Sequence, residues 1–360
     1  MCNLTENLEP EVKNMSTKID KRWVRENYLN ALDRKPTRWQ PIEFEGLNYG
    51  GFEFTSFEKG SPEDPYDGFG VKWERPKSFG GAAVPAPNNF VLKDISDWKD
   101  VQFPDLDAYD WEGEASMWKD LDRSCEILDY GSGNGHFERL AALMGFENAL
   151  MAMAEDPDEV EDFFKKLTEF KIEVVRKAKK YFNPDTFTLY DDTATQRSPF
   201  MSPDTYRELI MPYHKLVFDA CKEEGIRPSL HCCGYAQPLV ECFIEEGALS
   251  WTSVQPCNDI AAILKKYGDK ICITGGYDTN GSAGVTEDPA VMKAEIQRCF
   301  DQYGKYPGYI FCGACFKPES TSEDGMDIWE PAMTLMQLAI EMAHKNAGIE
   351  ADVIVNSFTG

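Results

Sequence analysis

From residue 120 onward, short apolar runs alternate with amphipathic stretches along the chain. Six runs have the length and composition of buried strands, and they cover 125–130, 187–191, 228–232, 249–254, 270–274 and 309–313. The stretches between them carry apolar residues at helical spacing, and several begin with Asp, Ser or Asn and end at Gly. These predicted helices cover 157–182, 203–225, 236–247, 258–268, 288–304 and 326–345. Such alternation with short connections predicts a parallel sheet flanked by helices.

The number of predicted strands favours a closed barrel over an open, doubly wound sheet. RWQPIEFE near 38–45 adds a seventh strand, and an eighth is expected within 46–120. No G-x-G-x-x-G follows a predicted strand, so the main sequence support for a dinucleotide-binding fold is missing. We predict an α/β chain folded as a single (β/α)8 TIM barrel over 21–360, after a flexible tail over 1–20.

Residues 46–115 break the alternation. The segment is rich in Gly, Pro, Asp and aromatic residues, as in NYGGFEF and EDPYDGFGVKWERP. We interpret it as a long ordered insertion, or cap, over one mouth of the barrel. Its aromatic residues, Tyr49 among them, either line a substrate pocket or form the small core of the insertion.

Composition and charge narrow the set of partners. The chain has 62 acidic and 37 basic residues, a formal net charge of −25, which disfavours nucleic acid and anionic membrane surfaces. The polar amino-terminal stretch and the absence of an apolar run near the ~18 residues of a membrane span predict a cytoplasmic protein. Eleven cysteines, an odd number with irregular spacing, argue against a disulfide framework.

The segment PSLHCCG at 228–234 places a histidine beside two cysteines at the end of a predicted strand. Because side chains alternate along a strand, His231 and Cys233 are expected to point together and Cys232 to point the other way. Imidazole and thiolate are zinc ligands, so this pair is a candidate metal site. The alternatives are packed core residues, or a redox pair that would require a strained disulfide between neighbours.

A zinc site needs a third ligand, and YIFCGACFKP at 309–318 offers two cysteines at the end of another predicted strand. Cys312 lies within the strand, whereas Cys315 follows it in the loop, where barrel enzymes place active-site groups. We therefore favour Cys315 as the third ligand. A fourth position left open to substrate is typical of catalytic zinc.

Four more polar residues at strand ends are candidates for catalysis or substrate binding. Asp191 and Asp192 end FTLYDD, and alternation directs only one of them into the barrel, as a substrate-orienting or proton-transferring group. The alternative for either is a capping acid. Gln255 follows the strand at 249–254 and His136 follows GSGNG; both are predicted to bind substrate, with an ordinary loop role as the alternative for His136.

Several motifs resemble the uroporphyrinogen decarboxylase superfamily. They are DDTATQRSPFMSPDTYRELIMPY, HCCG and ITGG between 191 and 276, RKPTRWQPI near 34–42, and YDGFGVKW at 66–73. The resemblance covers roughly 22–345 and implies a single (β/α)8 barrel. The decarboxylases carry an arginine-rich segment that binds porphyrinogen carboxylates, whereas here only Arg34 and Arg38 stand in that region.

The corrinoid methyltransferase branch of that superfamily is the better match. It carries H-x-C-G and, far downstream, G-C-x-x-P; this chain has HCCG at 231–234 and GACFKP at 313–318, with one additional alanine. The resemblance implies Zn2+ held by His231, Cys233 and Cys315, and methyl transfer to or from the cobalt of a corrinoid carried by a separate corrinoid protein.

The favoured reaction is O-demethylation of a small methoxylated compound, for which an aromatic ether is one candidate. The alternatives are a methylcobamide:coenzyme M methyltransferase, a uroporphyrinogen decarboxylase-type decarboxylase, and a barrel that only binds a corrinoid or tetrapyrrole. The methyl donor or acceptor is the small-molecule partner in the first two cases. A homodimer is one candidate assembly.

Overall fold

A computed structural model describes residues 17–51, 56–76, 82–317, 319, 321 and 326–350. Its α-helices are Arg22–Leu32 (α1), Ser56–Lys59 (α2), Trp111–Ala115 (α3), His136–Met144 (α4), Phe146–Glu155 (α5), Pro157–Tyr181 (α6), Pro203–Leu209 (α7), Met211–Glu223 (α8), Val240–Glu245 (α9), Ile260–Tyr267 (α10), Pro289–Tyr303 (α11) and Glu330–Asn346 (α12). Its strands are Thr17–Lys18 (β1), Leu47–Gly51 (β2), Trp73–Glu74 (β3), Val84–Pro85 (β4), Ile127–Ser132 (β5), Thr186–Tyr190 (β6), Arg227–His231 (β7), Ser250–Val254 (β8), Cys272–Gly276 (β9), Tyr309–Cys312 (β10) and Ile349–Glu350 (β11).

Seven of the strands form one curled parallel sheet in the order β10-β9-β8-β7-β6-β5-β2. The two ends of this sheet are brought together by the segment just before β2. Ile42 pairs with Phe311 of β10 in parallel, the Phe311 N–H donates to the Pro41 carbonyl at 2.8 Å, and the Glu43 N–H donates to the Phe311 carbonyl at 2.9 Å. The predicted (β/α)8 barrel is therefore confirmed, with residues 41–43 in the place of the eighth strand.

The boundaries at the amino-terminal side differ from those expected. The extended segment predicted near 38–45 contributes only the Ile42 pairing. The further strand expected within 46–120 is β2, which lies at the start of the range interpreted as an insertion. Gly50 of β2 packs closely enough on the Phe182 ring that a Cβ would lie 3.2 Å from it, so the glycine suits a buried strand. Of the predicted tail over 1–20, residues 1–16 lie outside the described residues, and Thr17 pairs with Ile349.

Helix ends follow the sequence signals that predicted them. The side chains of Ser202, Asp259 and Asp288 accept N–H bonds at the starts of α7, α10 and α11, which fills donors that the first helical turn leaves open. The helix predicted over 203–225 is divided at Ile210, because Pro212 cannot donate an N–H bond.

The interior of the barrel is polar, whereas the layer between sheet and helices is apolar. Inside, the Thr186 and Thr188 hydroxyls donate to Asp129 Oδ1 at 2.5 and 2.9 Å, and the hydroxyls of Ser229 and Ser250 lie 2.7 Å apart. Burial raises the pKa of Asp129 to about 6 despite the two hydroxyl donors. The outward residues of the same strands form the main core with the helices, as Leu128, Phe187, Leu230 and Trp251 do.

Helix α1 closes the amino-terminal end of the barrel. Its Tyr28, Ala31 and Leu32 pack in one cluster with residues at the beginnings of four strands. Those residues are Leu47, Ile127, Cys272 and Ile310. The opposite end, where the strands reach their carboxyl ends, is the end at which barrels of this class place their active sites. No helix among the described residues combines the length and the apolar character needed to cross a bilayer.

A buried cluster of four charges joins the segment after β2 to the barrel. Arg139 of α4 pairs with Asp67 at 2.6 Å and with Glu58 at 3.1 Å, and Lys171 of α6 pairs with Glu58 at 2.7 Å. All four side chains are at most 1% exposed. Two cations balance two carboxylates, so the segment is held to α4 and α6 by compensated charges.

Removing one cation from this cluster is expected to destabilise the fold strongly. Arg139→Met would leave the Asp67 and Glu58 carboxylates with only Lys171, and breaking a buried charge set costs about 3–5 kcal/mol of the free energy of unfolding. Urea unfolding followed by circular dichroism measures this cost. Arg176→Met, which removes an exposed pair with Glu173 on α6, is the control and should cost at most about 1 kcal/mol. Equal losses in the two variants would contradict the role given to the cluster.

Candidate active site

β7 ends at His231, and the chain continues outward at the carboxyl mouth of the barrel. His231 Nε2 and Cys233 Sγ lie 3.4 Å apart, on the same side, as the alternation of side chains predicts. The sulfur of Cys232 points away and is fully buried near the Thr193 hydroxyl at 3.4 Å. Of the two neighbouring cysteines, Cys233 is thus the one that faces the mouth.

Asp192 completes a group of three potential ligands with this pair. One ligand atom from each of Asp192, His231 and Cys233 lies within 4.8 Å of the other two, and all three residues are half-buried. Asp192 Oδ1 also accepts the Cys233 N–H at 2.7 Å, which fixes the carboxylate beside the sulfur. Nitrogen, sulfur and oxygen donors in one place fit a divalent ion such as zinc.

The His231 ring is held in a form that can bind a metal. Burial lowers its pKa, and Lys59 lowers it further against the opposing effect of Asp192, so the imidazole is neutral. The Thr252 hydroxyl donates to the Leu230 carbonyl at 3.5 Å and lies 3.1 Å from His231 Nδ1. A hydroxyl that donates to the carbonyl accepts from Nδ1–H, which leaves the Nε2 lone pair directed toward Cys233. Tyr190 stacks on the ring at 4.4 Å.

A bulge in β8 brings two consecutive residues to the site. The pairing of β8 with β9 shifts register between Trp251 and Val254, and Ser253 has a φ of 62°. As a result Thr252 reaches His231, and Ser253 Oγ lies 3.1 Å from Cys233 Sγ. Sequence reasoning missed both residues. The available signal was the three-residue spacing of the buried Trp251 and Val254 in SWTSV, where regular alternation gives two.

Glycines make room for this geometry. A Cβ on Gly275 of β9 would lie 2.3 Å from the Val254 carbonyl at the bulge. Gly234 has a φ of 83°, and its Cβ would lie 2.5 Å from the Thr195 carbonyl. The Gly234 N–H donates to Gln255 Oε1 at 3.1 Å. Gln255 therefore supports the turn after Cys233, and its binding of substrate stays a prediction.

The Cys233 thiol is neutral in this environment. Burial raises its pKa, and the Asp192 carboxylate raises it further. A divalent cation would reverse this balance and favour the thiolate, because metal binding to cysteine releases the proton.

Asp191 and Asp192 point in opposite directions, as expected for neighbours at a strand end. The Asp191 carboxylate accepts the N–H groups of Phe137 and Glu138 at 3.1 and 2.8 Å, so it caps α4. It also lies 2.9 Å from His214 Nε2. Asp191 is therefore the capping acid and Asp192 the one at the mouth.

His136, the first residue of α4, is buried away from the Asp192 group. Its Nε2 lies 3.0 Å from the Thr168 hydroxyl, and its ring contacts Phe164, Tyr213 and His214. Burial holds its pKa well below the usual range. The structure thus gives His136 a place in the core behind the site, and a contact with substrate stays a prediction.

Cys315 does not lie within 4.8 Å of both His231 and Cys233. Its sulfur turns into the loop after β9 and donates to the carbonyls of Thr286 and Ala283 at 2.9 and 3.3 Å. Its role as a ligand stays a prediction, and Pro318 of the same motif lies outside the described residues.

A second polar group lies on the barrel wall formed by β10 and β2. Burial raises the pKa of Glu43 to about 7, against hydrogen bonds from the Cys312 thiol and the Tyr49 hydroxyl. The pKa of Cys312 is raised by burial, by Glu43 and by Cys233. Tyr49 thus belongs to an interior group that sequence reasoning did not connect, and its contact with substrate stays a prediction.

Three comparisons with known proteins bear on the fold and family of this chain. A methyltransferase from Methanosarcina mazei superposes with a TM-score of 0.57 at 12% identity, covering 87% of this chain and 98% of that one, which supports the barrel fold. A uroporphyrinogen decarboxylase from Chlorobaculum tepidum is 25% identical over 134 residues, and the match spans about a third of that relative, 35% of each chain. The family model described as uroporphyrinogen decarboxylase (URO-D) matches residues 130–329, more than half of the 360 residues. The chain belongs to the uroporphyrinogen decarboxylase family.

Proposed function

We propose that the protein is a zinc-dependent methyltransferase that moves a methyl group between a small substrate and the cobalt of a corrinoid on a partner protein. The observation that carries the proposal is the group of Asp192, His231 and Cys233 at the carboxyl mouth of the barrel. The similar fold of the Methanosarcina methyltransferase is consistent with it.

The donor set fits zinc, and the residues around it prepare each donor. His231 is neutral with Nε2 directed to Cys233, and Asp192 is fixed by the Cys233 N–H. Zinc bound there would act as a Lewis acid on the oxygen that carries the methyl group, or on an acceptor thiol. All three residues are partly exposed, as a site open to substrate requires.

Glu138 is the best candidate for holding a proton at the site. Burial raises the pKa of its carboxyl well above the usual range, and the nearby Asp192 and Asp191 carboxylates raise it further. The raised pKa favours the protonated carboxyl, which also accepts a backbone hydrogen bond from Asp192. In demethylation it would give this proton to the oxygen that loses its methyl group.

The positions of the arginines disfavour the decarboxylase alternative. Arg34 donates to the carbonyls of Leu32 and Leu249 at 2.8 and 3.5 Å, at the amino-terminal side of the barrel. Arg38 pairs with Glu26 at 3.2 Å, and both side chains are about half-exposed. Neither guanidinium is directed to the mouth, where a substrate with several carboxylates would also meet Asp192 and Glu138. A small methoxylated compound without such charge fits better, and coenzyme M as methyl acceptor is the second candidate.

The corrinoid spectrum tests this reaction directly. Under anaerobic conditions, the purified protein with a cobalt(I) corrinoid protein and a methoxyarene should form methyl-cobalt. Loss of methyl-cobalt with a thiol such as coenzyme M would support the second candidate. An unchanged spectrum with every donor and acceptor would contradict both.

Zinc content in single variants tests the ligand assignment. His231→Ala, Cys233→Ala and Asp192→Asn should each lose stoichiometric zinc, because each removes one of three donors. Cys232→Ala, which removes the neighbouring sulfur on the opposite face, is the matched control and should retain it. Cys315→Ala should also retain zinc, because its sulfur lies outside the group of Asp192, His231 and Cys233. Loss of zinc in that variant, with retention in Asp192→Asn, would instead support Cys315 as the third ligand. Equal zinc in all variants would contradict the site.

The hydroxyl that orients His231 should influence zinc affinity. Thr252→Val removes the partner of Nδ1 without a large change in volume, and loss of such an outer partner typically costs about 10–100-fold in affinity. Competition with a chromophoric chelator measures the dissociation constant. Thr274→Val is the control, since Thr274 is fully buried on the neighbouring β9 and hydrogen-bonds none of the three ligands. Similar affinities in the two variants would exclude the orienting role of Thr252.

A further inference from the structure

A fully buried chain of polar groups lies directly behind Asp192. It begins at Asp191, whose carboxylate holds the amino terminus of α4 through Phe137 and Glu138 and lies 2.9 Å from His214 Nε2. The Asp191 N–H in turn donates to the His231 carbonyl at 3.1 Å. Asp191, which immediately precedes the proposed ligand Asp192, thus connects α4, α8 and the end of β7.

His214 bridges two carboxylates at the other end of this chain. Its Nδ1 lies 3.4 Å from Glu246 Oε2, and the Tyr206 hydroxyl lies 3.1 Å from both of these atoms. The side chains of His214, Asp191 and Glu246 are all 0% exposed or nearly so. Burial by itself lowers the pKa of His214, but Glu246 and Asp191 outweigh it and raise the pKa to about 9.

The contacts favour a fixed bridge, in which His214 joins the carboxylates of Asp191 and Glu246, over a second metal centre. His136, Asp191 and His214 have ligand atoms within 4.8 Å of one another. The Asp191 oxygens, however, already receive two backbone N–H groups and His214 Nε2, so an ion would have to displace bonds of α4 or of His214. His214 is likewise occupied on both ring nitrogens.

We infer that His214 is a positioning residue: by holding the Asp191 side chain, it directs the Asp192 carboxylate toward His231 and Cys233. The inference rests on the proposed function. Asp191 and Asp192 are consecutive, so fixing the Asp191 side chain on one side of the backbone fixes the direction of Asp192 on the other. Asp192 then receives the Cys233 N–H, and this bond, Asp192 Oδ1 to Cys233 N at 2.7 Å, reports the position of Asp192 whether or not metal is bound.

The test compares His214→Gln with a variant of another buried histidine, one that contacts none of the three proposed ligands. Gln keeps an N–H donor but cannot bridge two carboxylates. His344→Gln is the control. His344, on α12, is equally buried, and its Nε2 lies 2.6 Å from Glu45 Oε1. Two properties are measured: binding of Co2+ with the visible spectrum of the bound ion, and hydrogen exchange at the Cys233 amide without metal. His214→Gln should bind Co2+ about 10-fold more weakly, with an altered spectrum, and lose protection at the Cys233 amide. His344→Gln should match wild type in both.

Glu246→Gln keeps the inference testable if His214→Gln does not fold. This variant removes the Glu246 carboxylate and leaves Asp191 unchanged. It should weaken Co2+ binding and lower the protection of the Cys233 amide, each by a smaller factor than His214→Gln. Wild-type protein that binds no Co2+ would contradict the proposed function, and the Cys233 amide would still decide the role of His214. Wild-type amide protection and Co2+ binding in the folded His214 or Glu246 variant, or equal changes in the His344 control, would overturn the inference.

Discussion

The two-residue period of a β-strand is the constraint on which the candidate site depends. It directs His231 and Cys233 to the same side where β7 reaches the carboxyl mouth, and it sends Cys232 into the core. The period is broken once, at the bulge in β8, and this break adds Thr252 and Ser253 to the same place. A regular β8 would deliver only one of these two hydroxyls to the site.

Buried charges hold this mouth from two sides. On one side, Arg139 and Lys171 balance Glu58 and Asp67 and join the segment after β2 to α4 and α6. On the other, a bridging imidazole joins the carboxylates behind Asp192. Both sets consist of groups that are costly to bury unless they are paired, so each contributes geometry more than net stability. They meet at α4, whose amino terminus is fixed by Asp191 and whose Arg139 belongs to the first set.

The sequence predicts the barrel and the central pair of the site because both depend on local periodicity. Alternating elements predicted the parallel sheet, and the strand period separated Cys233 from Cys232 and allowed only one of Asp191 and Asp192 to face the mouth. The other features depend on contacts between distant segments. The four-charge cluster joins residues from 58 to 171, the bulge depends on the register with β9, and the direction of Cys315 depends on the loop after β9. No pattern within a single segment predicts these.

The location of bound zinc tests the account most directly. Crystals of the zinc-loaded protein, with diffraction data collected on both sides of the zinc absorption edge, would show the ion by its anomalous scattering. The account predicts one strong peak bounded by His231 Nε2, Cys233 Sγ and the Asp192 carboxylate. A stoichiometric peak elsewhere, or one that contacts Cys315 and not Asp192, would contradict it.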